Sequence, residues 1–307
     1  MKKLNFLFYL ILVLVTACGE KPMPSEEKLE RQSYVSTVSQ LERDYFVFLP
    51  RGYDDDKQKV WPVMLFLHGN GDRGNGKDEL DYVLKNGPLY EAWIQKKDIP
   101  FIIIAPQLHM FGFDQKGIDY IDNRSPAEIP RRQADGVPPR PPRFGAPQAL
   151  QRQASVSDMS EMAPLLPMGW DKLEADLLAM LDAVHENYRT NPEHTVLTGL
   201  SYGGFGTWYL ASRHPDRFGA IAPVVGWGHP DLMAPIAESR LPLWAFAGGR
   251  DGAVNIQHFY AGLQKLEDLG HPDVRFTVYE EYGHDAWVRV YASDDLYRWL
   301  LDPATVP

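Results

Sequence analysis

The chain has 307 residues, 44% of them hydrophobic and 12% aromatic, which supplies apolar material for one large α/β domain or two small ones. Its formal charge of −10 argues against a general nucleic-acid binder, which needs a basic stripe to displace counterions from phosphates. A single cysteine, Cys18, rules out an intramolecular disulfide, so stability rests on the core.

The N-terminus, MKKLNFLFYLILVLVTACGE, carries two lysines, an apolar run from Leu4 to Val15, and then small residues. This run is short for a bilayer-spanning helix and has the layout of a secretory signal. The stretch VTAC puts Cys18 where the apolar region ends, which resembles the lipobox of bacterial lipoproteins. The resemblance implies a signal peptide over 1–18 ending at Cys18, lipidation of the Cys18 thiol, and export to the cell envelope with a membrane anchor. A plain signal peptide with a chance cysteine is the alternative. Residues 19–32 are polar and proline-containing and read as a tether, leaving 33–303 as a single domain.

Along that domain, strand-like runs alternate with helix-like periods, the pattern of a mostly parallel sheet covered by helices. RDYFVFLP (43–50) and WPVMLFLHG (61–69) flank a turn-forming segment, and PFIIIAPQ (100–107) is a continuous apolar run suited to a strand buried on both faces. HTVLTGLS (194–201), GAIAPVVGW (219–227), LPLWAFAGG (241–249) and VRFTVYEEY (274–282) complete the set. Residues 171–188 have apolar positions at helical spacing, with Asp171 as the expected cap. The segment from about 108 to 168 interrupts this rhythm, too rich in proline and arginine for a core element, and reads as a lid or a disordered insertion.

GLSYGG (199–204) fits G-x-S-x-G, follows a strand-like run and leads into the helix-like GFGTWYLASRHP. That is the setting of a nucleophile elbow, a sharp turn that exposes a serine hydroxyl, here Ser201. A serine needs a general base, and the base needs a group to orient it. Asp251 ends one apolar run in a glycine-flanked turn, and His284 ends the next after Gly283, which gives the order Ser, Asp, His. Of the nine histidines, His284 is the chosen base; His185 lies in a helical pattern, His258 and His271 flank the helix after Asp251, His109, His194, His214 and His229 sit in loops or at element edges, and most of these are expected to be solvated. Glu280 and Glu281 compete with Asp251 but precede His284 too closely to reach its ring easily. Attack on an ester creates an oxyanion, for which the N–H of Tyr202, just after the serine, is one expected donor. The second is expected in FLHGNGDRGNG (66–76), where Asn70 follows His-Gly. That glycine-rich loop lacks the Gly-Lys-Ser/Thr of a phosphate-binding loop and the following helix start of a dinucleotide site.

Together FLHGNGDRG, IIIAPQ, GLSYGGFGTW, the aspartate after FAGG, and YGHDAW resemble the secreted α/β-hydrolase esterases often labelled predicted peptidases or phospholipase/carboxylesterase-like. That group is similar to feruloyl and acetylxylan esterases and to polyhydroxybutyrate depolymerases. The resemblance covers roughly 43–107 and 169–301. It implies the α/β-hydrolase fold, a triad of Ser201, Asp251 and His284, and oxyanion donors at Asn70 and Tyr202. Two departures stand out: Ala247 where such proteins often carry a histidine, and the length of the insertion.

The expected activity is hydrolysis of a carboxylic ester through an acyl-enzyme, with no metal and no organic cofactor, on a small-molecule or polysaccharide ester and with no nucleic-acid partner. A serine peptidase of the same fold, or a non-catalytic surface-binding lipoprotein, are the alternatives. The insertion is expected over the site. Between Arg124 and Arg152 it carries Arg124, Arg131, Arg132, Arg140, Arg143 and Arg152 against Glu128 and Asp135. Either these arginines pair with acids of their own domain and fasten the loop, or some face the cleft and favour an acidic substrate.

Overall fold

The structure, a computed structural model, describes residues 23–143, 149, 155–156 and 158–304, so the expected signal peptide and Cys18 lie outside the described residues. Strand β1 (Lys28–Val35) corrects the expected tether: residues 28–32 belong to the sheet, paired antiparallel with β2 (Glu42–Leu49) from Lys28 opposite Leu49 to Val35 opposite Glu42. Its sequence, KLERQSYV, lacks a buried face because it is an edge strand held mainly by backbone hydrogen bonds.

Inward from that edge, alternation sets the core. Tyr45, Val47 and Leu49 of β2 enter one apolar layer, and Phe46 and Phe48 the other, since successive strand side chains point to opposite faces. β3 (Trp61–Leu67) separates Val63, Leu65 and Leu67 from Met64 and Phe66 in the same way, and β4 (Ile102–Ala105) separates Ile102 and Ile104 from Ile103 and Ala105. With β5 (Thr190–Leu200), β6 (Ala220–Val224), β7 (Leu243–Gly248) and β8 (Val274–Tyr279), these form one eight-stranded sheet ordered β1-β2-β4-β3-β5-β6-β7-β8. From β4 to β8 every neighbouring pair is parallel, and β2 alone runs against the rest, antiparallel to both of its neighbours, β1 and β4.

Helices cover both faces. One layer is closed by α1 (Gly87–Leu89), α7 (Trp287–Ala292) and α8 (Asp294–Leu301), through Leu89, Tyr291 and Trp299. The other is closed by α3 (Glu174–Asn187), α4 (Tyr202–Arg213), α5 (Met233–Ser239) and α6 (Phe259–Asp268), through Leu181, Trp208, Ile236 and Leu263. Asp171 does not cap α3. The chain enters that helix through a 3-10 turn, Trp170–Leu173, so Leu173 takes the cap position while Asp171 pairs with Lys172 Nζ at 2.9 Å.

The insertion between β4 and α3 contains three short turns, Phe113–Gln115, α2 (Asp119–Asp122) and Pro126–Glu128. Although its composition suggests no core contribution, Leu108, Phe113, Ile121 and Met159 are buried. The loops after β3, β5, β7 and β8 gather at the carboxyl edge of the parallel strands, where open α/β sheets place their ligands.

Candidate active site

β5 ends at Leu200 and α4 begins at Tyr202, so Ser201 alone makes the turn, with φ 53° and ψ −119°. A left-handed φ on a residue with a Cβ costs about 1–3 kcal/mol and persists only where the surroundings fix it. Here they do. Ser201 N donates to Val224 O of β6 at 2.9 Å, and Phe205 N donates to Ser201 O at 3.1 Å. Gly203 is the residue that lets the helix start so close to the sheet: a Cβ there would stand 1.8 Å from Leu67 O at the end of β3. Any larger residue would push the elbow off the strand.

His284 Nε2 lies 2.9 Å from Ser201 Oγ, and His284 Nδ1 lies 2.7 Å from Asp251 Oδ2. Asp251 is wholly buried, and its other oxygen, Oδ1, accepts from Ala253 N at 2.9 Å and Val254 N at 2.8 Å. Those two bonds fix the carboxylate plane and leave Oδ2 for the imidazole. With Asp251 as an acceptor, Nδ1 carries the ring proton and Nε2 is left to accept from the serine hydroxyl. The turns carrying the acid and the histidine are joined directly, because Arg250 N donates to Tyr282 O at 2.9 Å and Gly249 N to Tyr279 O at 2.9 Å. Gly248 permits that closeness, since a Cβ would meet Gly283 O at 2.1 Å. Trp287 stands edge-on to the His284 ring, 5.1 Å between centroids.

The loop after β3 passes beside the serine: a Cβ on Gly69 would come within 3.5 Å of Ser201 Cβ. Asn70 begins a 3-10 turn, Asn70–Asp72, and Tyr202 is the first residue of α4, so both are positions whose N–H lacks a partner within its own helix. Below this loop, His68 is fully buried; Leu108 N donates to its Nε2 at 2.9 Å, and its Nδ1 lies 2.6 Å from Gly69 O. Burial pushes His68 down to about 3, so the ring is neutral and serves as a strut between the β3 and β4 loops. Burial likewise raises Asp72 to about 7.

The insertion surrounds the site on several sides. Phe113 meets the Tyr202 ring edge-on at 6.1 Å, the Tyr120 hydroxyl accepts from Asn70 Nδ2 at 2.7 Å, and Val156 N donates to Gln257 O beyond the Asp251 turn at 3.0 Å. Its arginines pair with acids of the same domain. Arg124 bonds Glu79, Arg132 bonds Glu27 at 2.6 Å, Arg140 clasps both oxygens of Glu91 at 2.5 and 2.6 Å, and Arg143 reaches Asp285 at 3.2 Å. Arg124, Arg132 and Arg143 also lie over the rings of Tyr82, Trp93 and Tyr282. Arg131 is exposed, and Arg152 lies outside the described residues.

Sequence reasoning places most of the remaining histidines in solvent, but besides His68 three more are buried: His109, His229 and His271. Each is tied into a loop. His229 and His271 each accept a backbone N–H two residues on and face a carbonyl with the other ring nitrogen, Met159 O at 3.1 Å and Leu241 O at 2.9 Å. It also passed over Arg73, Phe113 and Tyr120, which wall the Asn70 side of the site; the arginine in GDRG was the available signal.

Residues 171–266 match the family model described as "Putative esterase". Over 133 residues the chain is 26% identical to the "Putative esterase NocK" of Nocardia uniformis subsp. tsuyamanensis, a stretch that is 42% of this chain and 38% of that relative. Among solved structures, a thermostable esterase superposes with a TM-score of 0.60 at 20% identity, covering 89% of this chain and 62% of that one. A ferulic acid esterase from the anaerobic fungus Anaeromyces mucronatus superposes with a TM-score of 0.51 at 20% identity, covering 92% and 93%. These superpositions and the strand order show the α/β-hydrolase fold.

Proposed function

We propose that this chain hydrolyses carboxylic esters through an acyl-enzyme on Ser201, with an acyl group on a polysaccharide as the favoured substrate. The observation that carries this reading is the continuous line of contacts from Ser201 Oγ through His284 to a buried Asp251, with the serine on a strained turn. His284 Nε2 takes the hydroxyl proton as Oγ attacks the carbonyl carbon, and the carbonyl electron pair moves onto oxygen. The N–H groups of Tyr202 and Asn70 receive that oxyanion. Its collapse breaks the bond to the alcohol oxygen, which leaves with the proton from His284; water then repeats the sequence and frees the acid. Asp251 holds the tautomer and stabilises the imidazolium between the two proton transfers.

The test pairs fluorophosphonate labelling with turnover of p-nitrophenyl esters and peptide anilides. Wild type is expected to label at Ser201 and to cleave esters, while Ser201→Ala and His284→Ala lose about 10³-fold or more in kcat with an unchanged melting temperature. Near-normal turnover in either variant would end the reading. Faster cleavage of anilides would turn it toward a peptidase.

We further propose that the chain is exported and anchored by lipid on Cys18, from the VTAC stretch and the solitary cysteine. Acyl chains contribute about 0.8 kcal/mol per buried CH₂, so several chains anchor firmly. Cys18→Ser is expected to move the protein from the membrane fraction to the soluble one. A wild type that is wholly soluble with an unmodified N-terminus would reject the anchor.

A further inference from the structure

Arg73 breaks a general rule of protein interiors. Its residue surface is fully buried, yet none of its polar contacts among the described residues is a carboxylate. Buried arginines are ordinarily paired, because an isolated buried charge is expensive. Here the guanidinium donates from Nε to Asn70 Oδ1, from one terminal nitrogen to His109 O at 2.7 Å, and from the other to Met168 O at 2.8 Å. Its faces lie against the rings of Phe113 and Tyr202, 4.2 and 4.9 Å from their centroids. Burial lowers the group to about 10, which leaves it protonated at neutral pH.

Two of those contacts are the residues whose N–H groups the preceding reading assigns to the oxyanion. One guanidinium therefore grips the side chains of both, from loops that follow different strands. The remaining three contacts belong to the insertion, the His109 and Met168 carbonyls at its beginning and end and the Phe113 ring, so the same group ties the insertion to the oxyanion pocket. A positive charge with no counter-charge among the described residues is offset when negative charge appears nearby. In an acyl transfer that happens in the tetrahedral state.

We propose that Arg73 is a positioning residue for the oxyanion pocket: it fixes Asn70 and Tyr202 relative to each other, and its unpaired charge favours the tetrahedral state over the bound ester. This rests on Ser201 being the nucleophile. Losing an oxyanion donor costs about 10²–10³ in kcat, and losing the group that holds two donors is expected to cost somewhat less, about 10–100-fold.

The experiment compares Arg73→Met, Arg73→Lys and Ser201→Ala with wild type, counting active sites by fluorophosphonate stoichiometry and checking folding by melting temperature. For Arg73→Met, kcat per titrated site on p-nitrophenyl acetate should fall about 10–100-fold while KM stays within about threefold. Affinity for a trifluoromethyl ketone, whose serine adduct bears an oxyanion, should weaken by a similar factor. Arg73→Lys, which keeps the charge but reaches fewer acceptors, should lie between Arg73→Met and wild type in both measures. A merely structural role would lower the melting temperature and the number of titratable sites, leaving kcat per site untouched; that result overturns the proposal. If Arg73→Met does not fold, Arg73→Lys decides: wild-type kcat and ketone affinity overturn the proposal, and a matched loss in both supports it. Normal turnover by Ser201→Ala would instead remove the underlying reading.

Discussion

The elbow at Ser201 and the insertion that surrounds it are held by opposite means. At the elbow, backbone meets backbone: Ser201 N bonds Val224 O, and Gly203 lies so near β3 that no side chain fits. Charge has no part in it. The insertion is held by charge, with Arg124, Arg132, Arg140 and Arg143 each gripping an acid distant in sequence, three of those acids, Glu27, Glu91 and Asp285, being buried. A contact between backbones tolerates no substitution, whereas a set of ion pairs can lose members one at a time. Strained chemistry therefore sits on the first kind of support, and the surrounding wall on the second.

The sharpest way to break this contrast is Gly203→Ala. One methyl group 1.8 Å from Leu67 O must displace the elbow, and a loss of about 3 kcal/mol or more, with no measurable esterase activity, is expected by thermal melting and assay. A folded, active Gly203→Ala protein would refute the close-packing account.

Acid probes the seam where the loop after β3 meets the root of the insertion. Burial depresses His68 to about 3 and His109 to about 4, from an ordinary 6.5. Between pH 6.5 and about 4 the unfolded chain therefore binds two protons that these folded rings refuse. Asp72, raised to about 7 from 3.8, binds one in the folded state over the same range and partly offsets them. The remaining single proton means that acidification destabilises, at about 1 kcal/mol per pH unit from these groups. Urea melts from pH 6.5 to 4.5 should show this slope, and Asp72→Asn should steepen it. A slope that is unchanged in Asp72→Asn would contradict the assignment.

Arg140→Gln tests the insertion. It leaves Glu91 buried without its bidentate partner, for a cost of about 1–3 kcal/mol, discounted because Arg140 itself is 40% exposed. Turnover of small esters should stay within a fewfold of wild type. A collapse in kcat would mean that wall and elbow are one unit.

The mildest effect is expected from Ser201→Gly. Removing Cβ from a residue at φ 53° relieves strain, so the variant should be more stable than wild type by about 1 kcal/mol in the same melts. Equal or lower stability would show that the turn is unstrained.

What was legible in the sequence was whatever short range dictates. Continuous apolar runs announced β3, β4 and β5, and the glycines around Ser201 marked a turn because only glycine permits such backbone approach. Ser201, Asp251 and His284 could be picked out by order alone, since each ends a strand-like run and parallel strands bring such ends to one edge. β1 escaped because an edge strand needs no apolar face, and Asp171 was misplaced because propensity cannot foresee the 3-10 turn that precedes α3. Only the tertiary structure decided which acids Arg124, Arg132, Arg140 and Arg143 would grip, why Arg73 is buried with no carboxylate on it among the described residues, and that Tyr120 would reach Asn70. Those pairings join residues tens to more than a hundred positions apart. No local periodicity encodes them, because a charge finds its partner only after the core has brought both into a low-dielectric neighbourhood.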